Sequence, residues 1–214
     1  MSAFYLNKFK VILAFMAVML FLPLSALAEM DLPIAQVTRL KNSATLTWSG
    51  VVQDIDLNTK FQATDIIETG PDARLEITFE DGTTLTLGEN ARITLNEYVY
   101  DPINANNRLA ISLRHGAFLF ISGLMGKQPN RDMSVSTPLA TIGIRGTTFW
   151  GGSLGNPLDV LLLDGKVIVE SPTGSVMLDK KGKGTNIPVA GEKPTPAKFW
   201  SNEKRQRALS TVAF

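Results

Sequence analysis

Beyond an N-terminal apolar segment, apolar and polar positions alternate with a period of two in short runs separated by Gly, Pro, Asn and Asp. The clearest runs are RLEITFEDGTTLTLG (74–88), AISLRHGAFLFIS (110–122), DMSVSTP (132–138) and DVLLLDGKVIVESP (159–172). Helical spacing is nearly absent before the C-terminus. Short strands broken by turn residues predict an all-β domain.

The first run fixes its own register. Leu75, Ile77 and Phe79 alternate with Glu76, Thr78 and Glu80, and Leu85 and Leu87 alternate with threonines. A two-residue loop at Asp81-Gly82 would place the two apolar sets on opposite faces. A three-residue loop, Glu80 to Gly82, pairs Ile77 with Leu85 and Leu75 with Leu87 and gathers them on one face. Burial selects this register, with Gly82 left-handed as a bulge. The run VLLLDGKVIVE is expected to turn at Asp164-Gly165. Leu161, Leu162 and Leu163 put apolar side chains on both faces, as in a layered roll or β-solenoid.

From Gly182 the chain turns Gly-, Pro- and Lys-rich, and residues 191–214 read as a linker and a short helix. Thr195 is the expected cap, with Pro196 at the first helical position. Such a helix would lay Phe199 and Trp200 over an open end of the β structure. A partner-binding tail is the other reading.

The N-terminus changes the setting. Lys8 and Lys10 precede an apolar run, Val11 to Leu22, and then PLSALA. That order is that of a secretory signal peptide spanning residues 1–28. The run is shorter than the ~20 residues of a spanning helix. Cleavage is expected between Ala28 and Glu29, which predicts a periplasmic protein that meets the membrane only through this segment; an uncut anchor is the alternative. The remaining 186 residues carry 19 basic and 20 acidic side chains, so charge gives no reason to expect nucleic-acid binding. They suffice for one domain, residues 29–190, with its own core. Clusters at Lys180, Lys181 and Lys183, and from Lys198 to Arg207, read as solvated surface or as a patch for anionic lipid or polysaccharide. The chain has no cysteine, hence no disulfide, thiolate metal site, cysteine nucleophile or acylated lipobox.

Candidate chemistry is sparse. His115 is the sole histidine, and no orienting partner can be assigned to it. Asp54, Asp56 and Asn58 begin like a calcium loop, but Thr59 stands where that loop needs Gly and Asp65 where it needs Glu. No catalytic residue, metal or cofactor is expected. Of the three tryptophans, an exposed one could stack on a sugar or peptide.

TPLATIGIRGTTFWGG (137–152) decides between a ligand cradle and a structural corner. A phosphate cradle needs a helix after its glycines. Here Thr147, Thr148, Phe149 and Trp150 follow Gly146, and these residue types favour strand. Gly143 and Gly146 therefore mark bends or close backbone approach, with Arg145 held between strands and donating to carbonyls. Arg145 and Trp150 are the candidate binding residues.

Thr137-Pro138 followed by Gly143-Ile144-Arg145-Gly146-Thr147-Thr148-Phe149 resembles the TP…G(V/I)RGTxF signature of FecR-type domains. Asp65 to Gly70 is similar to the family's GDxixTG segment, with Thr64 at its first glycine. FEDGTTLTL, with Asp81 and Gly82, is similar to its F.DGS hairpin. Leu113 to Phe118, with Gly116, resembles its L.rG…f block, and Val160 to Val169, with Gly165, its V.V..G.V.V hairpin. The likeness spans about residues 35 to 190. It implies a compact, irregular β-solenoid or roll in the cell envelope, in a family that often serves cell-surface signalling. Only ten residues precede the apolar run, and little chain follows residue 190, so a stand-alone domain is expected.

Three functional expectations result. The first is a non-enzymatic periplasmic domain binding an envelope protein or glycan, in the setting of cell-surface signalling. The second is a carbohydrate-active enzyme with an acid pair. The third is a membrane-anchored signalling regulator.

Overall fold

The alternating runs form strands, as the pattern requires. A computed structural model describes residues 32–103 and 106–214; the expected signal peptide and the Ala28–Glu29 junction lie outside the described residues. The first half holds β1 (Ala35–Lys41), β2 (Ala44–Trp48), β3 (Val51–Asp54), β4 (Lys60–Phe61), β5 (Ile66–Thr69), β6 (Arg74–Phe79), β7 (Thr84–Leu87) and β8 (Arg92–Val99). The second holds β9 (Asn107–His115), β10 (Phe118–Ile121), β11 (Arg131–Ser136), β12 (Thr141–Gly152), β13 (Leu158–Ser171), β14 (Gly174–Leu178), β15 (Lys183–Ile187) and β16 (Lys198–Phe199), then helix α1 (Asn202–Ser210).

All sixteen strands belong to one sheet. Its main path runs β3-β2-β5-β8-β9-β11-β12-β10-β7-β6-β1-β4, and β13 joins β12 to β14 and β15. Among the described residues β9 and β11 run parallel, and the other ladders are antiparallel. The all-β expectation stands at that level. The ladder pattern is that of a curled antiparallel sheet rather than the stacked parallel coils of a solenoid. The residues from Pro33 to Phe214 form one compact unit.

The β6–β7 hairpin has the register that burial demanded: Leu75 faces Leu87 and Ile77 faces Leu85. Gly82 has φ +79°, and its N–H donates to the Phe79 carbonyl. These side chains are fully buried and join Phe61, Ile67, Phe118, Phe120 and Phe149 in one core. The Phe149 ring meets Phe118 edge-on at 5.4 Å and Phe120 at 5.6 Å. Each such side chain contributes roughly 1.5–3 kcal/mol by leaving water, which is how a chain without disulfides holds its fold.

Two expectations fail for stated reasons. Asp164-Gly165 is no hairpin turn: β13 runs straight through it, paired with β12 on both sides of a register shift. An Asp-Gly pair serves a bulge as readily as a turn, since both use a left-handed glycine, and Gly165 has φ +80°. The C-terminal helix exists but starts six residues late. Ser201 caps it, its Oγ accepting from the Lys204 N–H at 3.2 Å. Thr195 instead exchanges hydrogen bonds with Asn186. β16 then pairs with β15 ahead of the helix.

Candidate binding face around Arg145

The polar residues of the sequence motifs are consumed by internal bonds. Asp81 is buried. Its Oδ1 accepts the Thr83 N–H at 3.0 Å, and its Oδ2 accepts the Thr83 hydroxyl at 2.8 Å and the Met125 N–H at 2.9 Å. Tyr98 Oη accepts the Asp81 N–H at 3.0 Å. Burial, followed by the Asp81 charge, pushes the Tyr98 hydroxyl well above the ordinary phenol range. The hairpin turn therefore anchors the segment after β10 rather than presenting a carboxylate to solvent.

Thr137 closes a turn: its Oγ1 accepts the N–H groups of Leu139 and Ala140, and its hydroxyl donates to the Ala140 carbonyl at 2.9 Å. Pro138 stands exposed at the tip. Thr147 is buried; its hydroxyl donates to the Lys166 carbonyl at 2.6 Å, and its N–H donates to Ser122 Oγ at 2.7 Å. Gly146, at φ +60°, lies where a Cβ would come within 2.8 Å of the Gly126 carbonyl oxygen. A Cβ on Gly165 would collide with the Gly146 carbonyl. The two glycines let β12 and β13 bend together.

Arg145 differs from its neighbours. It is exposed, and among the described residues its guanidinium has no hydrogen bond or ion pair. The expected donation to carbonyls at a corner does not occur, because alternation turns residue 145 outward while Ile144 enters the core. Across the ladder stands Lys166. A cleft of about 330 Å³ opens beside Arg145, lined by Arg131, Asp132, Gly143, Ile168 and Glu170. Gly143 forms an open floor, where a Cβ would meet nothing nearer than the Ile168 carbonyl at 3.9 Å. Arg131 donates to the Gln128 carbonyl, but its Nε is buried without a partner.

Residues 65–168 match the family described as FecR protein. The chain carries a FecR domain. No curated protein matches it. Two crystal structures of "a putative anti-sigma factor" from Parabacteroides distasonis, at 2.50 and 1.65 Å resolution, have a similar fold. Each gives a TM-score of 0.53 at 16% identity over 67% of this chain. The matched region spans 63% and 64% of those chains, less than two thirds of their length.

Trp150, the second candidate binding residue of the FecR domain, is fully buried. Its Nε1–H donates to Thr211 Oγ1 at 2.9 Å, and its ring meets Trp200 edge-on at 6.2 Å. It is core, so its ring is unavailable to a surface ligand. Trp200 covers it as expected, whereas Phe199 remains exposed. The exposed indole is Trp48, at the end of β2, and no periodicity singled it out, because an alternating strand continues past the edge of its core.

The Nδ1–H of His115 donates to the Asn90 carbonyl at 2.7 Å, and the residue is exposed. No cluster of metal-binding side chains occurs among the described residues. In the calcium-like segment, Asp56 Oδ1 accepts the Asn58 N–H at 2.7 Å and the Thr59 hydroxyl at 3.1 Å, which closes a local turn.

Proposed function

We propose that this FecR-domain chain is an exported, non-enzymatic regulator of envelope signalling, which recognises an acidic segment of an envelope protein through the Arg145 face. The observation that carries this reading is the contrast within one signature. Thr137, Gly146, Thr147 and Phe149 are spent on structure, while Arg145 stands outward and unpaired. Lys166 beside it and Arg131 in the cleft add positive charge, while Asp132 and Glu170 line the same cleft. Arginine presents a rigid fork of donors that fits a carboxylate. A free arginine facing a lysine is a local repulsion that a bound carboxylate relieves. The likeness of fold to the Parabacteroides structures supports a place in signalling, and the basic, apolar, small-residue N-terminus supports export.

Capture of envelope extracts on the mature protein, against Arg145→Ala and Arg145→Lys, tests the reading. The expected result is a protein retained by the wild type, lost with alanine and partly kept with lysine. Unchanged capture by the alanine variant refutes the Arg145 face, and capture of a glycan instead refutes the protein partner. Intact mass of the periplasmic protein checks for a chain starting at Glu29.

A further inference from the structure

The two ends of the main sheet path are built differently. β4 is two residues long and carries Lys60, a short, charged edge that discourages pairing with another chain. β16 is equally short and carries Lys198. β14 has the segment around Gly191 beside it, whose carbonyl accepts the Thr173 hydroxyl at 2.9 Å. β3 has no such guard. Among the described residues it pairs with β2 alone. It contains no lysine, proline or bulge, and its register with β2 is unbroken from Asp54 to Val51.

Its side chains are apolar where solvent would favour polar ones. Val51 is 59% exposed and Val52 64%, with Trp48 opposite Val51 at 53% and Leu57 just beyond at 62%. Such residues cluster at interaction sites.

The ladder fixes which backbone groups are free. Ser49 and Gly50 form a two-residue loop with φ +48° and +79°, so Trp48 and Val51 make the closing hydrogen-bonded pair. In an antiparallel ladder such pairs alternate with unbonded ones. The Ile55 N–H donates to the Ala44 carbonyl at 2.9 Å, in phase with that count. The N–H and C=O of Val52 and Asp54 therefore point away from β2, toward the open edge.

We infer that this edge pairs with β3 of a second copy, antiparallel about a two-fold axis at Val52. An antiparallel edge is complementary to itself, which a two-fold interface requires. In this register each Val52 exchanges both backbone bonds with its counterpart. Val51 and Trp48 of the two copies approach diagonally, within reach of an indole. The Asp54 carboxylates fall four residues apart along the strands, roughly 14 Å at strand rise, so their repulsion is screened. Centring the axis on Gln53 would bring those carboxylates closer, and charge selects the Val52 register.

The absence of cysteine from the chain makes the test clean. Val52→Cys places two thiols at a hydrogen-bonded pair, with Cα atoms about 5.5 Å apart, inside disulfide range. The mature protein is expected to sediment as a concentration-dependent dimer. Val52→Cys should cross-link to itself on mild oxidation, and Thr173→Cys should not. Val52→Lys sets like charges face to face and should weaken the dimer at least about tenfold, ~1.4 kcal/mol, with an unchanged circular dichroism spectrum. A monomer at every concentration overturns the inference. So does cross-linking of Val52→Cys to a different envelope protein in cells, or equal cross-linking at residue 173. Each result is independent of the Arg145 face.

Discussion

The ammonium group of Lys204 lies 2.7 Å from Oδ1 of Asp159, a carboxylate with no exposed surface. The same ammonium sits over the Trp200 ring, 3.9 Å from its centroid. Asp159 also accepts the Leu154 N–H and the Asn156 side-chain amide. This pair fastens α1 over Trp150 and Leu161. Removing one partner leaves a buried charge uncompensated. Lys204→Ala should cost about 3 kcal/mol and shift Trp150 fluorescence to the red. The double variant Asp159→Asn/Lys204→Met should recover much of that loss. Urea denaturation measures both, and a loss below ~1 kcal/mol would reduce the pair to a surface contact.

Thr64 occupies the position where the FecR-type motif has glycine, and its φ is +74°. A β-branched residue in that region is a genuine outlier. Its side chain is exposed and makes no bond that a substitution would lose, while its N–H bonds the Leu95 carbonyl whatever the side chain. Thr64→Gly should therefore stabilise the fold by about 1 kcal/mol, the strain relieved less the entropy that glycine adds to the unfolded chain. An unchanged or lower denaturation midpoint would contradict the strain.

Asp65 is buried, and its Oδ2 accepts the Gln62 N–H at 2.8 Å while Oδ1 has no partner. Desolvation outweighs that bond and raises its carboxyl above the ordinary range. The folded state therefore holds the proton more tightly than the unfolded chain. This stabilisation is complete below the unfolded value and is lost as pH climbs through the folded one. Asp65→Asn keeps an acceptor for Gln62 and cannot ionise. It should match the wild type at acid pH and gain on it toward neutrality, and stability curves at several pH values check the sign.

Gly165 and Arg145 are close in the β12–β13 ladder and should respond oppositely. Gly165→Ala forces a left-handed alanine against the Gly146 carbonyl, a cost of about 3 kcal/mol or more. Arg145→Ala removes an exposed side chain without partners and should stay within ~0.5 kcal/mol. Thermal melts of the two variants separate shape from recognition. Strong destabilisation by Arg145→Ala would return that arginine to the scaffold.

Period-two alternation by itself determined the all-β class, because a strand sends successive side chains to opposite faces and only one face of β6 and β7 can enter the core. It also determined the register of Leu75 with Leu87, since a slip of one residue would expose the whole apolar set. Gly146 was legible as a bend because residues that favour strand follow it, whereas Gly143, expected to mark a bend or close approach as well, lies in an unbroken stretch of the β12–β13 ladder with open space above it. Tertiary structure alone decided the rest. An Asp-Gly pair fits a turn or a bulge equally, and the approach of Gly165 to Gly146 chose the bulge. An indole fits core or surface equally, and the docking of Trp200 and Thr211 buried Trp150 while leaving Trp48 at an edge. Whether an arginine is free depends on which neighbours other strands bring to it. That is set by contacts distant in sequence, which no local period encodes.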